Sequence, residues 1–194
     1  MKPFLLLVAS LALLSGCASK PSHTNNACAI LDQKSGLFVN WGRAAKSAER
    51  DWGVPMPIIL ATINVESGFQ HNARPPRKKV LGIIPGKRQS SAFGYAQALD
   101  GTWDEYRRDS GRLAARRSNF SDAAGFIGWY HYQSMRKNGV SANDAYNLYL
   151  NYYLGHAGYA KGIGHNNAIA VRGAQKMQQL ASQYDSQLRQ CGRR

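Results

Sequence analysis

The sequence predicts an all-α, mainly helical fold, and three observations predict it. Residues that start helices recur along the chain, each ahead of a segment with apolar side chains at three-and-four spacing. Glycine and proline fall where such segments stop or begin. Strand signals are scarce.

Taken in order, Asn40 is a candidate cap for a helix from Trp41 to Asp51, which Gly53 stops. Pro55 and Pro57 suit the first turn of the next helix, Pro57 to about Glu66, where missing amide hydrogens cost least. Ile58, Ala61, Thr62 and Val65 share one of its faces, and Gly68 ends it. Asp100 is read as the cap of a helix carrying Trp103 and Tyr106. Ser121 is read as the cap of a long one that turns Phe126, Ile127, Tyr130 and Met135 to the core and stops at Gly139. Ser141 and Asp144 resemble a capping box opening a helix through Tyr153. The last helix, about Asn167 to Arg189, is expected to bury Ile169, Met177, Leu180, Tyr184 and Leu188 on one stripe. Gly173 falls on that stripe, where a glycine costs about 1 kcal/mol against alanine unless it admits a close neighbour.

Residues 74 to 92 interrupt this pattern with a basic, glycine- and proline-punctuated insertion in which Val80 to Ile84 could form one strand of a hairpin. The insertion reads either as a solvated loop, as a lip of a substrate groove, or as a surface meeting anionic lipid or lipopolysaccharide.

The chain opens with an export signal. Lys2 precedes a short apolar run from Phe4 to Leu14, broken by Ser10 and too short to span a bilayer as a helix. Leu14-Ser15-Gly16-Cys17 follows in the lipobox pattern, so residues 1–16 are expected to be removed and Cys17 to carry lipid. An ordinary secretory signal that leaves Cys17 as a spare thiol is the competing reading. Ala18, with no Asp beside the lipid, resembles the bacterial pattern for the outer membrane. Residues 17–37 read as a lipidated tether with a docking segment around Cys28, and residues 38–194 as one domain. Cys28 and Cys191 remain for one disulfide in an oxidising compartment, or for two separate buried thiols.

The formal charge is +14 over the whole chain. Such a field attracts polyanions. Export argues against nucleic acid and leaves peptidoglycan stem peptides, lipopolysaccharide phosphates and acidic headgroups. His71, His131, His156 and His165 show no compact ligand spacing with a carboxylate, so neither metal nor cofactor is expected.

Among the eleven acidic residues, Glu66 is the candidate acid. It lies at the end of an apolar helix, and both the helix C-terminus and apolar surroundings disfavour its charge. A proton retained near neutral pH is what a general acid requires. An exposed helix-end glutamate is the alternative. Asp100, the next acid in sequence, and Asp104 are better explained as helix-start residues.

Ile63-Asn64-Val65-Glu66-Ser67-Gly68-Phe69, followed by Ala73, resembles the Glu-Ser-x-Phe signature of the lytic transglycosylase (SLT domain) family, whose fold is goose-lysozyme-like. Gly94-Tyr95-Ala96-Gln97 is similar to that family's Gly-Leu-Met-Gln segment, which lines the cleft. Two stretches compete for its Tyr-Asn-Ala-Gly element. Tyr146-Asn147-Leu148-Tyr149 keeps the Tyr-Asn pair; Tyr152-Tyr153-Leu154-Gly155, the favoured register, keeps the first Tyr and the glycine. The resemblance spans roughly residues 40 to 165 and sets the insertion beside the cleft.

It implies an enzyme that cleaves peptidoglycan glycan strands; with the lipobox and Ala18, the expectation is a monomer, lipid-anchored at the periplasmic face of the outer membrane. It implies Glu66 as sole catalytic carboxyl and a 1,6-anhydro product, an exception to the two-carboxylate rule. It also implies substrate-binding roles for Ser67, Tyr95, Gln97, Tyr152 and Tyr153, with Tyr146 and Asn147 as the alternate pair. Ser67 could instead satisfy the helix end, Tyr95 could stack on a sugar, and Tyr152 could donate to Glu66. Tyr149 and Tyr159 complete an aromatic set shared between stacking and core. A hydrolytic muramidase and a non-catalytic wall-binding lipoprotein are the alternatives.

Overall fold

The computed structural model describes residues 21–35, 39–80 and 83–194. The export signal and Cys17 lie outside the described residues, as do residues 36–38 and 81–82. Among the described residues there are eight α-helices, a single 3-10 turn and two two-stranded antiparallel sheets.

The short helix α1 (Ala27–Leu31) buries Ala27, Ile30 and Leu31. Strands β1 (Lys34–Ser35) and β2 (Val39–Asn40) pair antiparallel and lead into α2 (Trp41–Trp52). Asn40 caps α2 by accepting from the Arg43 amide at 2.8 Å, and Gly53 ends it in the left-handed conformation. Helix α3 (Met56–Ser67) follows, with Pro55 in the flanking position. It has no side-chain cap of its own. The Glu49 carboxylate supplies one from α2, accepting from the Met56 amide at 2.9 Å.

Helix α3 is the axis of the fold. Every residue from Met56 to Asn64 is buried, so the helix is apolar on all sides and must be enclosed. Helices α2, α5 and α8 pack against it. Beyond α3 come the hairpin β3 (Arg77–Val80) and β4 (Ile84–Arg88), then α4 (Asp100–Ser110), α5 (Phe120–Asn138), α6 (Ala145–Leu154) and α7 (His156–Ala160). The 3-10 turn Ile163–Asn166 leads into α8 (Ala168–Gln190).

Four helix starts differ from the sequence expectation by one to three residues, the first being α3, which opens at Met56 and not Pro57. Asp100 is the first residue of α4, and its carboxylate pairs with Arg117 at 2.7 Å; Leu99 holds the cap position. Asn119 caps α5 in place of Ser121, accepting from the Asp122 amide at 3.2 Å. Asp144 is itself the cap of α6, while Ser141 only tightens the preceding turn. In α8, Asn167 accepts from the Ile169 and Ala170 amides. The buried stripe there is Ala170, Ala174, Met177, Ala181, Tyr184 and Leu188. Ile169, expected on it, is 60% exposed because the stripe begins one residue later.

Cys28 and Cys191 form the disulfide, 163 residues apart. It fastens α1 to the end of α8. Ala27 donates to the Gln187 side chain at 2.8 Å, and Arg193 pairs with Asp32 at 2.6 Å. Two aromatic clusters fill the other side of the body. Trp41 stacks on Phe120 with ring centroids 3.9 Å apart, and Tyr95 meets both edge-on. Trp103, Tyr106, Phe126 and Trp129 form the second.

Candidate active site

Glu66 is the penultimate residue of α3, partly exposed at the one end of that helix that leaves the core. Burial of the surrounding atoms raises its pKa to about 7, and hydrogen bonding from Tyr149 opposes the rise. No other acidic side chain contributes to the shift. A carboxyl with this pKa is close to half protonated at neutral pH, so it can release a proton and recover it.

Helix α6 supplies the opposite wall. Tyr149 and Tyr152 lie three residues apart, on one helical face, and the Glu66 charge pushes the pKa of both phenols upward, after burial. Both therefore remain protonated as donors near the carboxyl. Tyr152 donates to the Ala96 carbonyl, and its ring packs against Tyr130 at 4.9 Å. That ring is locked in place. Tyr149 is nearly buried and is wedged against α8 at Gly173, where an added Cβ would stand 2.3 Å from Tyr149 Cε1 and 2.8 Å from its hydroxyl oxygen. Gly173 thus lets Tyr149 sit where it does.

The backbone opposite is tightly held. Gly68 and Phe69 both take positive φ, 56° and 63°, turning the chain sharply out of α3 while Phe69 is buried against Trp41. A non-glycine residue there is strained by about 1–2 kcal/mol. Gln97 also has positive φ, at 48°. Its side-chain amide donates to the carbonyls of Ala73 and Gly94, both at 2.9 Å, tying the exit of α3 to the 94–98 turn. A cavity of about 250 Å³ adjoins this turn, lined by Gln97, Leu99, Thr102, Tyr130, Tyr152 and Tyr153, among others. Tyr153 is 43% exposed on its rim.

A family model described as a transglycosylase SLT domain matches residues 5–191. The chain belongs to the transglycosylase SLT domain family. Its mainly helical body is the lysozyme-like domain of that family. No curated protein and no solved structure gives a match.

Within the SLT domain, Gln97, Tyr152 and Tyr153 line one cavity, which Glu66 adjoins only through its electrostatic coupling to Tyr152, and several other candidates lie elsewhere. Tyr95 is fully buried between Trp41 and Phe120, so it cannot stack on a sugar. Ser67 is buried, and its hydroxyl donates to the Ile63 carbonyl at 3.1 Å, satisfying the helix end. Asn147 is held by Asp144 at 2.8 Å and by the Tyr159 hydroxyl at 3.1 Å. Tyr146 is partly buried against the core. Tyr149 is the side chain that lowers the Glu66 pKa, whereas the Tyr152 hydroxyl is taken by the Ala96 carbonyl.

Tyr149 was legible only as one of an aromatic set, although its spacing of three residues from Tyr152 would have placed it on the same face. The role of Gly173 had a signal too, in its position on an apolar stripe. Buried His131 is bonded to Thr62 at 2.9 Å, and its pKa falls to about 3 through burial and the neighbouring His156. His156 stacks on Tyr130 and bonds Ser134. Among the described residues no three His, Cys, Asp or Glu side chains converge on a common point. Asp100 and Asp104 are paired with Arg117 and Arg107.

Proposed function

We propose that this SLT domain is a peptidoglycan lytic transglycosylase that cleaves the β-1,4 bond between N-acetylmuramic acid and N-acetylglucosamine, with Glu66 as its single acid and base. The observation that carries the reading is a lone carboxyl with its pKa raised to about 7 in a family of transglycosylases. Protonated Glu66 gives its proton to the glycosidic oxygen as the C1–O bond breaks. The acetamido oxygen of the muramic residue stabilises C1. Glu66, now a carboxylate, takes the proton of the C6 hydroxyl, whose oxygen closes on C1 to give the 1,6-anhydro ring. Water is not consumed, and the enzyme ends in its starting protonation state.

The surrounding residues fit these steps. Tyr149 holds and tunes the carboxyl; Tyr152 and Gln97 fix the walls; Tyr153 offers an exposed ring face for a sugar. In the same reading Cys17 carries the lipid that anchors the protein to the periplasmic face of the outer membrane, so the enzyme acts on the wall from that side. The test is digestion of purified sacculi followed by mass spectrometry of the products. Anhydromuramic ends are expected, and they should vanish with Glu66→Gln. Reducing muramic ends would instead identify a hydrolase, and undiminished cleavage by the variant would remove Glu66 from the reaction.

A further inference from the structure

The hairpin β3–β4 has no part in the chemistry above, yet it is the most unusual surface of the molecule. Between Glu66 and Asp100 the sequence contains no acidic residue, and it places Arg74, Arg77, Lys78, Lys79, Lys87 and Arg88 there. Arg77, Lys78, Lys79, Lys87 and Arg88 are exposed. Arg77 and Arg88 donate to carbonyls of the hairpin region itself, those of Gly86 at 3.1 Å and Pro75 at 2.7 Å, which leaves their charge uncompensated. Among the described residues none of the six pairs with a carboxylate, whereas Asp32, Asp51, Asp100, Asp104 and Asp185 are all paired elsewhere.

At the turn, Ile83 is 83% exposed, the most exposed large apolar side chain described. A two-stranded hairpin gains little stability alone, and on this one Arg77, Lys78, Lys79, Ile83, Pro85, Lys87 and Arg88 are exposed. Its root, by contrast, is firm. The Ala73 carbonyl accepts from the Gly94 amide and the Gln97 side chain, and the Arg74 guanidinium lies 4.1 Å over the Phe93 ring. The hairpin therefore has a fixed base beside the cavity lined by Gln97 and Tyr152.

We propose that this hairpin is a docking element for an anionic lipid surface. Ile83 enters the acyl boundary, and the cations set back along both strands lie against the headgroup phosphates. The composition separates this partner from others. No Phe, Trp or Tyr occurs between Phe69 and Phe93, so the hairpin has no ring on which a sugar or a nucleic acid base would stack. An aliphatic tip between cationic shoulders matches a bilayer interface. Docked there, the hairpin would set the orientation of the neighbouring cavity toward the wall.

The experiment uses the full chain bearing Cys17→Ser, so that no acyl group contributes, with vesicles of phosphatidylglycerol and of phosphatidylcholine in co-sedimentation. Binding to phosphatidylglycerol vesicles and its loss at high salt are expected, with little binding to phosphatidylcholine. At about 5-fold per cation, the triple variant Lys78→Gln, Lys79→Gln, Lys87→Gln should bind on the order of 100-fold more weakly. Ile83→Ser should weaken it by about 10-fold. Equal affinity of parent and triple variant would overturn the proposal. So would absence of vesicle binding together with retention on purified sacculi that the triple variant loses, which would make the wall polymer the partner. Binding is read without turnover, so its failure is distinguishable from failure of the catalytic reading.

Discussion

The two ends of the segment between Glu66 and Asp100 differ sharply from its middle. Its ends pack into the body through Phe69, Tyr95 and Ala96, turn at positive φ at Gly68, Phe69, Gly94 and Gln97, and are tied together through the Ala73 carbonyl. Its middle is a hairpin that carries exposed cations. Chemistry needs the first kind of structure, because a displaced carboxyl or sugar wall loses rate steeply. Adhesion to a fluid surface needs only charge, an apolar tip and reach. Substitutions at the ends should therefore alter catalysis or folding, and substitutions in the middle should alter neither.

The largest effect is expected at Glu66. Glu66→Gln should reduce glycan cleavage by at least about 10³-fold, within the range ascribed to general acid–base groups. The same substitution should stabilise the fold at alkaline pH. Glu66 has its pKa raised to about 7 from 4.5, so the unfolded chain ionises first as pH rises. Stability is fully present below about 4.5, falls between 4.5 and 7, and is level above. The glutamine variant lacks that loss, so its advantage in denaturant titrations should grow to on the order of 2–3 kcal/mol at pH 8 and disappear near pH 4. Activity of the parent should fall above pH 7 as the acid loses its proton. A stability difference that is independent of pH would show that Glu66 is not held in the proton-loaded state.

Next in size is Gly94→Ala. A Cβ at that position would stand 2.1 Å from the Arg117 carbonyl oxygen, and φ is 76°. That neighbour is backbone and cannot swing away as a flexible side-chain tip could. A loss of about 2–4 kcal/mol by thermal or chemical denaturation is expected. Gly101, in the exposed face of α4, is the control, since nothing lies within 4 Å of its added Cβ. Gly101→Ala should be neutral or stabilising by up to about 1 kcal/mol. The pair separates steric demand from glycine's general effect on helices and turns.

How far the sequence was legible follows the range of the forces involved. Asn40, Gly53, Gly68, Gly139 and Asn167 mark helix ends correctly because a cap is decided within one turn of chain. Ser121 has the right residue type for a cap, yet Asn119 takes the position, because only the path of the preceding loop selects between them. Glu66 stood out through its place at the end of an apolar helix. Its partner did not, because Tyr149 and Tyr152 share a face and the choice depends on how α6 seats on α8 at Gly173. Tyr95 was misplaced for a similar reason. Its burial is created by Trp41 and Phe120, which are 54 and 25 residues away in the chain. Local signals cannot show such neighbours.

Gly173→Ala probes that seating, with a smaller expected effect on folding and a readable one on catalysis. Alanine gains about 1 kcal/mol of helix propensity in α8 but drives its methyl into the Tyr149 ring. The gain and the clash partly offset, so a net loss of about 1–2 kcal/mol is expected. Displacing Tyr149 also removes the hydrogen bonding that lowers the Glu66 pKa, so the alkaline limb of the activity profile should move to higher pH while kcat falls about 10-fold. A merely structural role would lower stability and leave that limb in place. Tyr149→Phe should reproduce the shift without the steric loss, because it removes the hydroxyl and keeps the ring.

The smallest effect is expected in the hairpin, and its smallness is informative. Lys78→Gln, Lys79→Gln and Lys87→Gln remove three exposed charges that pair with no carboxylate, so each should change folding stability by no more than about 0.5 kcal/mol. Cleavage of soluble glycan oligomers should be unchanged, because these side chains stand apart from Glu66, Tyr149 and Tyr152. On sacculi presented with phosphatidylglycerol vesicles, the same variant should fall behind the parent, and added salt should erase the difference by weakening the parent. Were the variant slowed equally on soluble oligomers, the hairpin would belong to the substrate groove, and the division between a rigid catalytic base and an adhesive projection would not hold.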